Sequence, residues 1–220
     1  TYKDDGSRKA RLVVRGYEEK WCDLAENDPA TESPTLQRES LRYICYYAAR
    51  KRYRLESWDI KTAFQQADTR YDPEHNESKG IYIKPPLVFP KKYKKDMSRF
   101  LIRIPDNQTL YGMASAPRRF YFWLRGVMLE CGFRVSKFDE CVFLLYQGKD
   151  LAGVTGYHVD DGILSGNQYY WDAMERVALK IKFGTRKKST FKYCGVRIRQ
   201  HKDFSVELDQ EDLLTMLEPM

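Results

Sequence analysis

No apolar run in these 220 residues approaches the length that crosses a bilayer; a stretch such as 141–146, Cys-Val-Phe-Leu-Leu-Tyr, has the length of a buried strand. A membrane partner is therefore not expected. Cys-x-x-Cys pairs are also missing, and Cys22, Cys45, Cys131, Cys141 and Cys194 lie scattered, without a histidine-rich partner set. Their odd number and dispersal argue against a zinc site or a disulfide frame and for reduced thiols inside a cell. There is no internal repeat and no low-complexity tract, and a hydrophobic share of 42% is too high for a disordered chain. The first residue is Thr1, with neither an initiator Met nor a signal peptide, which reads as a piece of something longer. At 26.1 kDa the chain can bury a sizeable core as one domain with an elaboration.

What is present in excess is positive charge. The formal net charge is +7 and the pI is about 9.0, which favours a polyanionic partner. Lys91-Lys92-Tyr93-Lys94-Lys95 and Arg186-Lys187-Lys188 concentrate that charge in expected loops, where phosphate backbones are gripped. A solvated charged face explains each cluster equally well.

Periodicity predicts a basic strand over 9–17 and an amphipathic helix over 37–51, with Leu41, Ile44, Cys45 and Ala48 on one stripe. A strand over 54–60 then delivers Asp59 near its end. Residues 65–80 read as a surface loop, 81–86 and 100–104 as short strands, and 117–131 as a long helix with Pro117 in its first turn. Strands over 141–146 and 151–159 and a return strand over 163–165 put Asp160-Asp161 at a hairpin tip. Asn167 caps a helix to about 183, and a last hairpin covers 191–208. This irregular alternation implies an α+β fold with an antiparallel sheet.

Two features carry chemistry. Tyr157-His158-Val159-Asp160-Asp161-Gly162 closes an apolar stretch on adjacent carboxylates, and Asp59 stands about a hundred residues earlier in Trp58-Asp59-Ile60-Lys61-Thr62-Ala63-Phe64. Three acids so placed can hold two Mg²⁺ ions, the recurring arrangement for nucleotidyl transfer. Each half has a plainer reading. Val-Asp-Asp-Gly is also a tight hairpin turn in which Asp-Gly supplies the positive φ angles, and Asp59 is also an ordinary strand-end or capping acid.

Taken together, these segments resemble the reverse transcriptase of copia-type LTR retrotransposon polyproteins, over nearly the whole chain. Lys9-Ala-Arg-Leu-Val-Val-Arg-Gly16 is similar to the strand that opens the fingers, and Asp59-Ile-Lys-Thr-Ala-Phe64 to the first catalytic motif. Ile81-Tyr-Ile83, Leu110-Tyr-Gly112 and Ala116-Pro117-Arg118 follow in the family's order, then Val159-Asp160-Asp161. Phe191-Lys-Tyr-Cys-Gly195-Val-Arg-Ile198 resembles the hairpin that grips the primer end. Several motifs in one order carry far more weight than any one of them.

The resemblance implies a reverse-transcriptase-like fingers and palm, an antiparallel palm sheet packed on helices, with fingers over about 1–53 and 68–109 and palm over about 54–67 and 110–220. The chain is expected to stop where a thumb begins. It implies RNA-directed DNA polymerase activity with two Mg²⁺, Mn²⁺ being a possible substitute, on an RNA or DNA template with a primer and dNTP. Asp59, Asp160 and Asp161 would hold the ions, with the Ile60 carbonyl as a further ligand, although core packing explains Ile60 as well. Phe64 would pack under the incoming sugar and exclude a 2′-hydroxyl; a core phenylalanine is the plainer reading. Lys9 and Arg11 would neutralise the triphosphate, and Gly112 would let the backbone approach the nucleotide, against exposed hairpin charge and a turn glycine. His158, Tyr193 and Gly195 would touch primer and template. The remaining Pol regions, namely thumb, ribonuclease H and integrase, are implied partners, and the setting is intracellular, a cytoplasmic virus-like particle or the nucleus.

Two departures from the family stand out. His158 replaces the usual Tyr without removing a metal ligand, and Met113-Ala114-Ser115 replaces the usual Leu-Lys-Gln. The rival readings are a catalytically impaired or domesticated palm remnant that still binds nucleic acid, a structural module, and an RNA-dependent RNA polymerase, which Phe64 disfavours.

Overall fold

The computed structural model describes residues 13–16, 32–71, 81–85, 100–105 and 108–215. Lys9, Arg11 and the Lys91–Lys95 cluster lie outside the described residues. The chain divides into two compact units, one of residues 1–32 and 64–123 and one of residues 33–63 and 124–220.

The second unit is built on a six-stranded antiparallel sheet of order β4-β5-β6-β7-β1-β8. Its strands are β1 (Leu55–Ile60), β4 (Arg134–Val135), β5 (Val142–Gln147), β6 (Asp150–His158), β7 (Asp161–Gly166) and β8 (Phe183–Lys188). Helix α1 (Arg38–Lys51) covers one face. Its stripe of Leu41, Ile44, Cys45, Tyr47 and Ala48 is buried, and it stops at Arg52, which turns left-handed at φ 55° and donates its N–H to the Ala48 and Ala49 carbonyls. Gly156 of β6 makes that contact possible, since a Cβ there would stand 2.7 Å from Leu36 Cδ1 and 2.8 Å from Ile44 Cδ1. Helix α4 (Gln168–Ala178) covers the other face. Asn167 caps it by accepting from the Tyr170 N–H at 3.0 Å. The Tyr170 ring lies against Gly153 and Gly166, where any Cβ would overlap it, and its hydroxyl bonds that of Thr155.

A separate three-stranded sheet, order β11-β10-β9, follows: β9 (Thr190–Tyr193), β10 (Val196–Gln200) and β11 (Val206–Asp209), before the short α5 (Glu211–Leu214). Gln200 pins its base to the start of β1, accepting from the Leu55 N–H at 2.8 Å and donating to the Tyr53 carbonyl at 2.9 Å.

The first unit holds the two-stranded sheet β2 (Ile81–Ile83) and β3 (Ile102–Ile104), the short α2 (Ala63–Gln66) in all but its first residue, and the first half of α3 (Ala116–Glu130). Its core is Ile104, Met113 and Ala116, with Val14, Phe64, Ile83 and Leu110 packed on them.

Two expectations need correction. Residues 186–188 are not a loop: β8 pairs antiparallel with β1, Lys188 opposite Glu56 and Arg186 opposite Trp58. The helix expected to reach 183 ends at Ala178, because Phe183 is taken up opposite Ile60. Residues 38–51 lie in the unit of the large sheet, with the apolar stripe of α1 buried on β6 and β7, and residues 110–123 lie in the other unit.

Candidate active site

Asp59 ends up directly opposite Asp161 in the β1–β7 ladder, and Asp161 is in turn opposite His158 in the β6–β7 ladder. Residues facing each other across an antiparallel pair share a face, with Cβ atoms about 4.5–5.5 Å apart. Asp59, Asp161 and His158 therefore stand together on one face, and Asp160 sits in the two-residue turn beside them. The Ile60 N–H donates to the Asp160 carbonyl at 2.8 Å, which ties that turn to the end of β1. Like charges directly opposite one another weaken a sheet, so this arrangement is not one that stability alone would choose.

The turn is not the one the sequence suggests. Val159 and Asp160 form it, and the positive φ, 56°, falls on Val159, while Asp161 and Gly162 already lie in β7. A β-branched residue in the left-handed region is strained by about 1–2 kcal/mol. Gly162 is there for a different reason: a Cβ on it would stand 2.7 Å from Tyr157 Cε1 and 3.2 Å from the Trp58 carbonyl oxygen. Gly162→Ala is accordingly expected to lower stability by about 1–3 kcal/mol through overpacking. Chemical denaturation measures this, and an unchanged midpoint would refute the tight contact.

Partial burial of its carboxyl, and next the charges of Asp160 and Asp59, push Asp161 above the usual carboxylate range, while Lys187 and His158 pull it partly back. The folded metal-free protein thus holds this proton more readily than the unfolded chain does. The associated stability is fully present below the unfolded pKa of about 3.9 and is lost as pH rises through the folded value. Asp161 keeps solvent access, so the repulsion is worth no more than about 0.5 kcal/mol after screening. Asp161→Asn should therefore melt ~1–2 °C above wild type at pH 7 in EDTA, the gap closing toward pH 4. A gap independent of pH would rule out charge repulsion as its source.

As a donor set, three carboxylates suit a hard divalent cation that takes oxygen ligands. Among the described residues, no three His, Cys, Asp or Glu side chains close into a metal shell. The chemistry fits Mg²⁺, and the shell would have to be drawn together by the ion. Cys194 offers no thiolate alternative: burial and the Asp161 charge push its thiol up to about 11.

Other expected site residues fall variously. Ile60 is buried, and His158 is half-buried on the carboxylate face. Tyr193 is 2% exposed, and its hydroxyl donates to the Asp161 carbonyl at 3.1 Å. Cys194 and Gly195 form the exposed β9–β10 turn, with φ values of 47° and 80°. In the first unit, Phe64 is half-buried with its ring 4.9 Å from Tyr111 and 5.8 Å from Phe120. Gly112 has φ 90°, and a Cβ on it would overlap the Val14 carbonyl. Sequence reasoning missed Gly184, at a bulge in β8, where a Cβ would stand 2.6 Å from Asp59 Oδ2. A glycine inside a strand is the signal that could have found it.

The opposite face of β1 is braced rather than open. Trp58 donates its indole N–H to Glu56 at 2.8 Å, and the Arg186 guanidinium lies 3.8 Å over the Trp58 ring. Arg54 lies 4.5 Å over Trp171. These side chains line a cavity of about 220 Å³.

Residues 1–217 match the family model described as reverse transcriptase (RNA-dependent DNA polymerase). The chain belongs to this reverse transcriptase family. It is 32% identical over 170 residues to the Retrovirus-related Pol polyprotein from transposon RE1 of Arabidopsis thaliana, covering 76% of this chain and 10% of that protein. It is 31% identical over 159 residues to the corresponding polyprotein from transposon TNT 1-94 of Nicotiana tabacum, covering 72% and 11%. These relatives place the reverse transcriptase domain with copia-type retrotransposons; the chain spans about a tenth of their length. A solved telomerase from Candida albicans is similar in structure, with a TM-score of 0.45 and 9% identity over 86% of this chain and 37% of that one.

Proposed function

We propose that this reverse transcriptase domain copies an RNA or DNA template by two-metal nucleotidyl transfer, joining deoxynucleotides to a primer 3′-hydroxyl. The observation that supports the reading most directly is Asp59 facing Asp161 across the ladder with Asp160 in the adjoining turn. Asp59, Asp160 and Asp161, with the Ile60 carbonyl, are the groups that would hold two Mg²⁺ or Mn²⁺ ions. When bound, such ions activate the attacking hydroxyl and neutralise charge on the departing pyrophosphate. The chain's own part is to place three carboxylates near one another on two neighbouring strands and a turn, against their repulsion, within reach of the cations that would draw them into a shell. His158 shares that face and offers a half-buried ring beside the primer path. Lys9 and Arg11 would meet the triphosphate and Gly112 the nucleotide, with thumb, ribonuclease H and integrase regions of a Pol polyprotein as working partners. The setting is an intracellular particle or the nucleus.

Extension of an RNA-templated DNA primer, with separate dNTP and rNTP pools, tests the reading. Phe64 would exclude the ribose hydroxyl. Phe64→Val is expected to relax discrimination against ribonucleotides by about 10–100-fold, the order a pocket contact supplies. Because Phe64 also packs on Tyr111 and Phe120, it should cost ~1–2 kcal/mol of stability. Stability loss with unchanged discrimination would assign Phe64 to the core alone.

A further inference from the structure

We propose that Tyr193 is a positioning residue that holds the β9–β10 hairpin in register with the carboxylate turn. The inference rests on the polymerase reading above. The hairpin belongs to a sheet separate from the one that carries the acids, so ladder hydrogen bonds do not set its height over them. Gln200 fixes its base. At its tip the Tyr193 hydroxyl donates to the main-chain carbonyl of Asp161 at 3.1 Å and lies 3.5 Å from that of Gly156. Asp161 is thus bound through its backbone to the hairpin while its carboxylate faces Asp59. The ring is 2% exposed, whereas Cys194 and Gly195, one and two residues further on, are exposed at the tip.

Physically, one buried hydroxyl sets the spacing between the strand that carries an acid and the turn that would meet the primer end. A main-chain carbonyl accepts a hydrogen bond without giving up its ladder, because it has two lone pairs. Removing the hydroxyl leaves the ring in place and frees the hairpin tip to shift. A displacement of about 1 Å at a reacting centre can cost up to about 10²-fold in rate.

The test is Tyr193→Phe in the longest Pol chain that carries this domain. Tyr47→Phe is the control, since the buried Tyr47 hydroxyl donates to the Leu151 carbonyl at 2.8 Å, near the other end of β6. Single-turnover extension, normalised by active-site titration, is expected to slow roughly tenfold or more in Tyr193→Phe, with the KM for dNTP within about twofold of wild type. The fluorescence of 2-aminopurine at the primer terminus, read with Ca²⁺ and no turnover, should report an altered terminus in Tyr193→Phe only. Equal rates per active site in wild type and Tyr193→Phe would overturn the inference and leave the polymerase reading standing. Equal slowing in Tyr47→Phe would also overturn it, since any lost hydroxyl would then do the same. A wild-type chain that binds primer–template and never extends it would overturn the polymerase reading and this inference with it.

Discussion

Asp160→Asn is expected to abolish incorporation, a fall of at least ~10³-fold or about 4 kcal/mol of transition-state stabilisation. The substitution keeps size and shape and removes a charge. What holds the turn is the Asp160 main chain, through the Ile60 N–H at 2.8 Å, and asparagine retains it. It also removes one of the charges that push Asp161 above its usual range, so the folded state should be no less stable than wild type. Loss of activity with an unchanged melt and unchanged primer–template binding is the expected combination. Near-normal extension by folded Asp160→Asn would sink the polymerase assignment. A wild-type chain with intact binding and no Mg²⁺-dependent extension would instead favour the palm remnant.

The second large effect concerns stability. Glu56 is 2% exposed, accepts from the Trp58 indole at 2.8 Å, and meets Arg54 Nε at 3.1 Å and Lys188 Nζ at 3.6 Å. Both cations retain solvent, with side chains 53% and 65% exposed, and would return to water if the acid were removed. The loss therefore falls on the buried indole N–H, left without an acceptor, and on the cavity where the carboxylate stood. Glu56→Ala is expected to destabilise by about 3 kcal/mol, combining an unsatisfied donor with a core truncation. Arg54→Ala and Lys188→Ala should each cost no more than ~1 kcal/mol through the ion pair. Urea denaturation separates the three. Equal losses across them would mean that the exposed ion pairs, not the indole, hold Glu56 in place.

The expected β1, α3, β5 and β6 correspond to the observed elements within a residue or so at each end, because their apolar patterning is strong and Pro117 marks the first turn of α3. β8 escaped notice because Phe-Gly-Thr-Arg-Lys-Lys has no alternation, and five of its six residues are exposed. What makes it a strand is pairing with β1, a partner more than a hundred residues away in sequence. Gly162 was legible as a special position and misread in kind. A sequence shows that a Cβ is missing, not whether φ or a neighbouring tyrosine requires it. Tyr193 was named as a candidate on motif grounds, yet its burial and its Asp161 partner depend on how two separate sheets meet.

The sequence by itself determined the family and the α+β class, because motif order and periodicity are properties of the chain, and it named Asp59, Asp160 and Asp161 as the candidate acids. Only the tertiary structure decided that Asp59 faces Asp161 across one ladder, that Val159 rather than Gly162 takes the strained turn position, and that Tyr193 is tied to the Asp161 backbone. Register and burial arise from contacts between residues far apart in the chain, and local residue preferences do not encode them.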